Sequence, residues 1–509
     1  MQRRAKIVAT IGPSSADRDT LRSLLDAGVD VCRLNLSHGS RDDHRSLFER
    51  IREVSEEDGR FVAVLMDLMG PRYRLGEVRE GRSLEVDEVV SLGIGDGVDL
   101  QVTDRQIVEA LEPGHRILID NGLVEARVVS RRAGKVRAKI TFGGPVSTRK
   151  GLNLPDSDLP FEISRKDRED IKLAVELGAD YLAASYVGEA RDVNAIRRVV
   201  RQAGGTVPIV AKIERRRAID HLEEIIESAD AVMVARGDLG VEVETSEVPI
   251  LQKRMIDVSW RLGRPVIVAT QMLESMMEHP RPTRAEASDV ANAVFDGADA
   301  VMLSGETAAG NYPVEVVQTM DRIVREAERH VHQAIHRGPG GVGSTTSASA
   351  AHRLSEGLFD LEPPARPGML EIPETITWAA VVSARRLGAK FIVVLTKGGY
   401  TARMLACRRP STPVIALTQS ARAGRALQLV WGLRPLHMQG DVYHHDEVVG
   451  LVDRHLLAAG LVEPGDEIAI LMGDPIQGRP PTNLLRLHRV VDSRADSGNA
   501  GEAPQGKAS

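Results

Sequence analysis

Short apolar runs, rich in β-branched residues, alternate with helical patterns over the first two thirds of the chain. Each run predicts a buried strand, and amphipathic segments such as Asp19–Ala27, Ser164–Leu177 and Pro249–Leu262 predict helices. About eight such units favour a closed (β/α)8 barrel (TIM barrel) of the α/β class. An open doubly wound sheet is less favoured, because no glycine-rich dinucleotide loop follows the first strand. The predicted strands are Ile7–Thr10, Val31–Ser37, Val62–Leu68, Tyr181–Val187, Ile209–Glu214, Ala231–Gly237, Pro265–Met272 and Ala300–Glu306.

The stretch from about Pro71 to Pro160 has a different pattern. Tight-turn sequences at residues 120–122 and 133–134 separate runs of alternating apolar and polar residues. This pattern predicts a β-rich module inserted after the third barrel strand. A module inserted there would hang over the catalytic mouth of the barrel, where we expect it to act as a lid. Its clearest strands are Arg116–Ile119, Leu123–Val129 and Val136–Thr141.

The last third of the chain predicts a separate α/β domain. A long helical pattern over Pro313–Arg337 runs into a Gly/Ser-rich segment, Gly338–Ser347, after which strand and helix patterns resume. No internal repeat is evident. We expect the catalytic barrel to cover residues 1–70 and 161–337, the inserted lid domain 71–160, a linker region 338–372, the C-terminal α/β domain 373–491, and a disordered tail 492–509.

Composition excludes several classes of protein. The 509 residues are 42% hydrophobic and 27% charged, as in an ordinary globular chain. A formal net charge of −6 and an aromatic content of 3% argue against nucleic-acid binding. Two cysteines, Cys32 and Cys407, exclude a disulfide framework and a four-cysteine zinc site. With no signal peptide and no run near the ~20 apolar residues of a membrane helix, we expect a soluble cytoplasmic protein without membrane contact.

Polar residues end several of the predicted strands. Because side chains alternate along a strand, residues two apart share a face, so Lys212 and Glu214 point the same way. The carboxyl ends of barrel strands meet at one mouth, where we expect these side chains to converge. The residues concerned are Arg33, Asn35 and Ser37 on the second strand, Lys212 and Glu214 on the fifth, Arg236 and Asp238 on the sixth, and Thr270 on the seventh.

Each of these residues taken alone has a structural explanation. Lys212 and Glu214 fit an ion pair in the barrel interior, and Arg33 fits a contact between strand and loop. Asp238 fits a helix cap, and His38 before a glycine fits a turn. The recurrence of polar pairs at the ends of successive apolar strands favours a catalytic site over unrelated structural roles.

The predicted cluster has the chemistry of phosphoryl transfer. Glu214 and Asp238 offer oxygen ligands that suit Mg²⁺ or Mn²⁺, and no cluster of histidine and cysteine indicates zinc. Fixed cations beside a carboxylate-bound divalent ion supply the positioning and charge neutralisation that phosphoryl transfer needs. Gly237 and Asp238 start a predicted helix, whose free N–H groups favour an anionic substrate group. The sequence contains neither a Walker A motif nor a protein-kinase signature.

Seven segments, in this order along the chain, resemble the pyruvate kinase family. The resemblance runs from about Lys6 to Glu328, lid included, and more loosely from about Glu374 to Val491. It implies transfer of the phosphoryl group of phosphoenolpyruvate to ADP, giving pyruvate and ATP in the last step of glycolysis, with Mg²⁺ or Mn²⁺ as cofactor. The segments are Ala9–Pro13, Arg33–Gly39, Val210–Glu214, Val234–Gly240, Ala269–Ser275, Pro280–Glu286 and Leu303–Ala308.

The resemblance also implies a role for each matching residue. Lys212 would stabilise the charge of the moving phosphoryl group and of the enolate, Arg33 would clamp phosphate, and Thr270 would lie near the enolate carbon that is protonated. Glu214 and Asp238 would hold the divalent metal. The remaining implied assignments are the backbone of Gly237 and Asp238 for the substrate carboxylate, and Asn35, His38, Arg74 and Lys150 for the nucleotide, with Lys150 brought in by lid closure.

The segment after the third strand departs from the family pattern. That pattern resembles Asp-Thr-Lys-Gly-Pro-Glu-Ile-Arg, whereas residues 67–74 read Asp-Leu-Met-Gly-Pro-Arg-Tyr-Arg. The acid that accompanies bound K⁺ in the family is Arg72 here, and a tethered guanidinium can supply the charge of that ion. We therefore expect full activity without K⁺. The positions equivalent to the K⁺ site are Asn35, Ser37, Asp67 and Leu68. There are two further departures from the family: Met69 lacks the positive charge of the pattern, and Gly188 stands where the family often has an arginine.

The resemblance leaves regulation and two other interpretations open. The effector loop of the family resembles Thr-x-Ser-Gly-x-Ser/Thr; Thr396–Thr401 keeps this shape but lacks the serine. Its glycine-rich backbone and Lys397 could still seat a phosphorylated effector. A homotetramer is implied. Another metal-dependent barrel enzyme acting on phosphoenolpyruvate or pyruvate would share the paired carboxylates without needing the lid, His38 or Lys150. A non-catalytic scaffolding relative would have no reason to keep the set Arg33, Lys212, Glu214, Asp238 and Thr270.

Overall fold

Eight parallel strands close into a barrel in the computed structural model, which describes residues 3–132, 134–337, 371–439, 445–473 and 482–491. The chain divides into two compact units, residues 5–327 in one and the remainder in the other. The barrel belongs to the first unit and confirms the predicted (β/α)8 fold. Its strands are Lys6–Thr10, Val31–Asn35, Ala63–Asp67, Tyr181–Ala184, Ile209–Ile213, Ala231–Ala235, Val266–Ala269 and Ala300–Leu303.

Helices alternate with these strands along the chain and bury an apolar face. In Arg18–Ala27, for example, three leucines are buried and Asp17 caps the amino end by accepting the Thr20 N–H. The helices of this unit outside the lid are Arg18–Ala27, Arg41–Glu57, Arg165–Leu177, Ala190–Gln202, Arg216–Asp220, Leu222–Ser228, Arg236–Glu242, Val248–Arg261, Arg284–Asp296, Gly305–Ala308 and the start of Pro313–Arg337, with a 3₁₀ turn at Glu274–Met277.

Most barrel strands end one to three residues earlier than the apolar pattern predicts. Arg236 begins a helix instead of extending the sixth strand, and Thr270 lies just beyond the seventh strand with a φ of 68°. The prediction is too long because the loops at this end of the barrel are themselves buried. Met272, for example, is completely buried and continues the apolar pattern past the strand.

An aspartate precedes four of the strands and makes the same contact in each case. Its carboxylate accepts a backbone N–H from the neighbouring strand, which fixes the strand ends relative to each other. Three of the four lie two residues after a helix-ending glycine with positive φ, a conformation that glycine adopts most readily. The pairs are Asp30 with Ile7, Asp180 with Val64 and Asp230 with Ile209, each at 2.8 Å, and Asp299 with Val266 at 3.0 Å.

The inserted module, which we call the lid, is β-rich as predicted and lies between the third and fourth barrel strands. Its tight turn at Asp120, Asn121 and Gly122 has φ values of 53°, 57° and 83°. A short ladder pairs Ser83–Leu84 with Gly144–Pro145, and the lid helix is Arg105–Ala110. The order in the main sheet is Leu152–Asn153, Arg116–Ile119, Val124–Arg132, Lys135–Phe142, Val89–Gly93 and Leu100–Gln101.

Gly70 marks the point at which the chain leaves the barrel for the lid. Its φ is 70°, and its N–H donates to Asp167 Oδ1 at 3.3 Å. A Cβ atom at this position would lie 2.9 Å from the Cβ of Ser185. Only glycine therefore fits here, both for its backbone conformation and for the close packing.

The second unit contains a sheet of five described strands, consistent with the predicted C-terminal α/β domain. Four strands are parallel, and Leu484–Arg489 pairs antiparallel at one edge. The order is Leu433–His437, Val414–Thr418, Phe391–Leu395, Glu467–Met472 and Leu484–Arg489, with helices Glu371–Leu387, Tyr400–Cys407, Ala421–Ala426 and His445–Ala458 and a 3₁₀ turn at Leu427–Leu429.

Two sequence-based expectations lie outside the described residues. They are the Gly/Ser-rich segment 338–347 and the tail 492–509. In the ranges that the structure describes, no helix combines the length and apolar character needed to cross a membrane.

Candidate active site at the carboxyl ends of the barrel strands

Arg33, Asp67 and Lys212 form a buried ionic cluster where the second, third and fifth barrel strands end. Arg33 Nε and Nη2 each lie 2.7 Å from Asp67 Oδ2, and Nη1 donates to Thr10 Oγ1 at 2.9 Å. Lys212 Nζ lies 3.4 Å from the other oxygen, Asp67 Oδ1. Asp67 is 1% exposed, and each cation is 9% exposed. Barrel closure therefore brings together three charged residues that are far apart in sequence.

Glu214 extends this cluster from the residue after the fifth strand. Lys212 Nζ lies 2.7 Å from Glu214 Oε1 and donates to Ser185 Oγ at 2.8 Å. The other oxygen, Glu214 Oε2, accepts the N–H of Tyr186 at 2.7 Å. Both oxygens of this buried carboxylate thus have donors, which come from two different strands. The position of Glu214 is fixed before any ligand binds.

The buried charges shift the pKa values of one another. Burial disfavours a charge on Asp67, but Lys212 and Arg33 outweigh burial and hold the pKa of Asp67 below its usual value. Burial also opposes the charge on Lys212, yet the carboxylates of Asp67 and Glu214 raise its pKa. For Glu214 burial dominates, Lys212 opposes it and Asp238 adds to it, so the pKa of Glu214 rises to about 7.

Glu214 and Asp238 fit a divalent cation. Two nearby carboxylates that raise a pKa by repulsion and burial are stabilised when a cation lies between them. Mg²⁺ and Mn²⁺ bind one or two carboxylates and keep other positions for water and substrate oxygens. No group of three or more His, Cys, Asp or Glu side chains forms a metal cage within the described ranges. This pair of acids therefore suits a metal that is shared with a substrate.

Thr270 and Gly237 meet where the sixth and seventh strands end. Thr270 Oγ1 accepts the Gly237 N–H at 2.8 Å and donates to Ala269 O at 2.6 Å. A Cβ at position 237 would lie 3.3 Å from that oxygen, so glycine permits the close approach. Arg236 donates to Thr270 O at 2.8 Å and to Asp289 Oδ1 at 2.7 Å. The Arg236 guanidinium, which we expected at the barrel mouth, thus holds the Thr270 loop in place.

Two of these strand ends carry strained backbone. Tyr186 has a φ of 60°, and Thr270 and Gln271 have φ values of 68° and 53°. Non-glycine residues in this region cost on the order of 1–3 kcal/mol each, and such strain concentrates at functional sites. The strain supports a site here because it falls on residues that contact Glu214 and Gly237.

A cleft of about 320 Å³ opens between the lid and the strand ends. Tyr186 and Asp238 line its barrel side, and the lid side is strongly basic. Lid and barrel also touch where Asn153 Nδ2 donates to Glu242 Oε1 at 2.9 Å. Burial raises the pKa of Glu242, with that hydrogen bond opposing it. The cations of the cleft are Arg72, Arg74, Arg149 and Lys150.

Two of the four residues expected to face a nucleotide line this cleft. Arg74 donates to Arg149 O at 2.7 Å, and Lys150 forms an ion pair with Asp120 at 2.6 Å. The other two residues, Asn35 and His38, lie at the end of the second strand and on the loop that follows it. There Asn35 Oδ1 accepts the Ser37 N–H at 3.2 Å, and His38 is exposed.

One of the positions equivalent to the monovalent-cation site contacts a guanidinium. Arg72 Nη2 donates to Ser37 Oγ at 3.3 Å. Asp67 is paired with Arg33, and Leu68 is 2% exposed, with its N–H on Ala183 O at 3.1 Å. A fixed positive charge thus reaches one of the expected cation-site residues.

Gly188 leaves room for a different arginine. A Cβ at position 188 would lie 3.1 Å from Cδ of Arg217, whose guanidinium contacts Glu189 and the lid residue Asp158. A cation is therefore present beside the position that lacks one. Nothing in the structure explains Met69.

The sequence reasoning missed two members of the cluster and underrated a third. Ser185 and Tyr186 sit inside a predicted strand, and Asp67 was assigned only to the cation site. A usable signal existed for Asp67, since it ends a buried strand as Arg33 and Lys212 do. For Ser185 and Tyr186 the signal was weaker, because the apolar pattern continues to Val187 and masks the end of the strand.

Comparisons with known proteins agree with this geometry. The family model "Pyruvate kinase, barrel domain" matches residues 2–317, and "Pyruvate kinase, alpha/beta domain" matches residues 374–488. A pyruvate kinase of Agrobacterium vitis is 40% identical over 497 residues, covering 96% of this chain and 97% of the relative. One from Mycobacterium tuberculosis is 40% identical over 500 residues, covering 96% and 99%. The crystal structure of a pyruvate kinase from Cryptosporidium parvum superposes with a TM-score of 0.85 at 30% identity, covering 96% of each chain.

Proposed function

Because the chain belongs to the pyruvate kinase family, we propose that it transfers the phosphoryl group of phosphoenolpyruvate to ADP, giving pyruvate and ATP. The observation that carries this proposal is the buried set of Arg33, Lys212 and Glu214, joined through Asp67, beside a basic cleft. Phosphoryl transfer is catalysed mainly by positioning and by neutralising charge, which fixed cations supply without reorganising.

Within this reaction the cations have distinct tasks. Arg33 clamps the phosphate of phosphoenolpyruvate, with Asp67 and Thr10 holding its guanidinium. Lys212 stabilises the charge of the transferred group and then of the enolate oxygen. Its raised pKa keeps it positive through the cycle. Thr270 lies near the enolate carbon and orders the site through its bond with Gly237.

The acids and the helix start complete the substrate site. Glu214 and Asp238 hold Mg²⁺ or Mn²⁺, and the divalent metal that the family implies supplies charge neutralisation when bound. The backbone of Gly237 and Asp238 receives the substrate carboxylate, at the first turn of Arg236–Glu242. To make this contact, the Gly237 N–H leaves its present acceptor, the Thr270 hydroxyl, and donates to the substrate carboxylate instead.

The lid contributes the nucleotide side. Arg74 and Lys150, with Asn35 and His38 from the barrel, bind ADP as the lid closes. Lys150 now pairs with Asp120, and its ammonium has further N–H donors with which to bind a phosphate.

A coupled assay with phosphoenolpyruvate and ADP tests the function. We expect ATP and pyruvate in equal amounts when Mg²⁺ or Mn²⁺ is present, and turnover lost with EDTA and restored by either metal. Consumption of phosphoenolpyruvate without ATP would favour another metal-dependent barrel enzyme. No consumption with any metal would favour the scaffolding interpretation.

We also propose that turnover does not require K⁺. The hydrogen bond from Arg72 to Ser37 Oγ supports this, because it brings a fixed charge to the expected cation site. Turnover in Na⁺ should equal turnover in K⁺, and Arg72→Glu should make it K⁺-dependent. Strong activation of the parent protein by K⁺ would refute the proposal.

Finer assignments follow from the resemblance. We propose a cytoplasmic homotetramer with domain boundaries as given under Sequence analysis, and a phosphorylated effector at Thr396–Thr401. In that loop Gly399 has a φ of 80° and its N–H donates to Thr396 Oγ1 at 2.8 Å, a compact turn with Lys397 beside it. Mass measurement in solution tests the tetramer. Sugar phosphates and nucleoside monophosphates added below saturating phosphoenolpyruvate test the effector.

A further inference from the structure

Tyr186 is held rigidly at the edge of the ionic cluster. Its N–H donates to Glu214, and the preceding residue, Ser185, accepts from Lys212 and donates to Leu68 O at 2.8 Å. These contacts fix the backbone in a left-handed conformation, with φ 60°, that a bulky side chain rarely adopts. The fold accepts this strain and in doing so directs the tyrosine ring into the cleft.

The phenol hydroxyl of Tyr186 faces charged groups but lacks a hydrogen-bond partner among the described side chains and backbone. The charged groups that interact with it electrostatically are the carboxylates of Glu214, Asp238 and Glu242 and the guanidinium of Arg72. A phenol hydroxyl is a hydrogen-bond donor, so it can donate to an anionic group that enters the cleft.

The surroundings of the cleft identify the acceptor. The lid side carries Arg72, Arg74, Arg149 and Lys150, a set that suits the phosphates of a nucleotide. A hydroxyl that lines the same cleft and has no hydrogen-bond partner among the described residues can donate to a ligand that displaces water there. We propose that the Tyr186 hydroxyl donates a hydrogen bond to a phosphate oxygen of the bound nucleoside diphosphate. The proposal rests on the function proposed above and adds a nucleotide-binding residue from the barrel side.

Tyr186→Phe tests this, because the change removes one oxygen and leaves the ring in place. Tyr73→Phe is the matched control, since Tyr73 lines the same cleft but its hydroxyl already donates to Pro160 O at 3.3 Å. For Tyr186→Phe we expect the ADP dissociation constant, measured by calorimetry with Mg²⁺, and the KM for ADP to rise about tenfold. The KM for phosphoenolpyruvate and the Mn²⁺ dissociation constant without substrates should stay within twofold. Tyr73→Phe should leave all four values within twofold.

Two outcomes would overturn the inference. One is an ADP affinity unchanged in Tyr186→Phe. The other is a loss of Mn²⁺ affinity as large as the loss of ADP affinity, which would assign the hydroxyl to the metal instead. Failure of the proposed function is a separate result, because the parent protein would then show no turnover of phosphoenolpyruvate with ADP, whatever the variant does.

Discussion

The two ends of the barrel use the same residue types in opposite ways. At the amino ends of the strands, each of the four aspartates accepts a backbone N–H from the neighbouring strand. At the carboxyl ends, Asp67 and Glu214 bind side-chain cations, whereas the third acid, Asp238, forms no ion pair within the described ranges. The aspartates at the amino ends serve the barrel itself, whereas the carboxylates at the carboxyl ends are placed to bind a metal or a substrate.

The amino end shows how a buried acid serves stability. Asp180 is 1% exposed and pairs with Arg52 at 2.6 Å as well as with the Val64 N–H. Asp230 pairs in the same way with Arg197 at 2.9 Å. In both acids one oxygen, Oδ2, accepts from an arginine and from a backbone N–H of the neighbouring strand, so the carboxylate fixes strand register.

The carboxyl end shows the opposite condition. Asp67, Glu214 and Asp238 accompany two buried cations, and the pKa of Glu214 rises to about 7 because burial, with a smaller contribution from Asp238, outweighs the opposing effect of Lys212. Backbone strain falls at the same rim, on Tyr186 and Thr270. Buried charges that the protein does not neutralise cost stability. Such charges are typical of functional sites, where a substrate or a metal neutralises them.

The largest expected effect separates the two ends through their cations. Lys212→Met should lower turnover about 10³-fold, because it removes the charge that we propose stabilises the transferred group. Arg52→Met at the opposite end should leave turnover within twofold while lowering the unfolding midpoint in urea. Turnover of Lys212→Met within a few fold of the parent would contradict the assigned role.

Removing an acid from the amino end should affect folding only. Asp180→Ala leaves the Arg52 guanidinium and the Val64 N–H without their carboxylate, so the free energy of unfolding should fall by about 3 kcal/mol. Urea unfolding measures this, and kcat of the folded fraction should not change. A loss of kcat with unchanged stability would mean that the two ends are not separate in function.

The stability contribution of Asp67 should depend on pH. Its pKa is held below the usual value of about 3.9, so its contribution is present above that pH and is lost as pH falls further. We expect the stability difference between the parent and Asp67→Asn to shrink below about pH 4, followed by urea unfolding at several pH values. A difference independent of pH would show that Asp67 is not charged in the folded protein.

The smallest effect concerns the glycines that precede the repeated aspartates. Gly28 has a φ of 114°, so Gly28→Ala should cost about 1–2 kcal/mol of unfolding free energy. Gly450→Ala, inside the helix His445–Ala458, should instead be neutral or slightly stabilising. Thermal unfolding measures both. Equal effects at the two positions would argue that conformation at Gly28 does not matter.

The barrel, the inserted lid and the second α/β domain could be predicted because apolar runs and turn residues report them directly. The cluster residues Arg33, Lys212 and Glu214 were predictable as well, since strand alternation and barrel closure bring strand ends together. The ends of the strands were not, because buried loop residues extend the apolar pattern. Tyr186 was not predicted as a site residue for the same reason, and nothing in the sequence indicates its φ of 60°.

The close packing of Gly70 against Ser185 has an evolutionary consequence. Up to this residue the chain is constrained by its neighbours, whereas the loops that follow emerge from a single exit and return to the same rim. Insertions and deletions can therefore accumulate within residues 71–160 without redesign of the barrel. A larger side chain at position 70 would displace Ser185, which contacts Lys212. We therefore expect homologues to vary in lid length far more than in the residue at position 70.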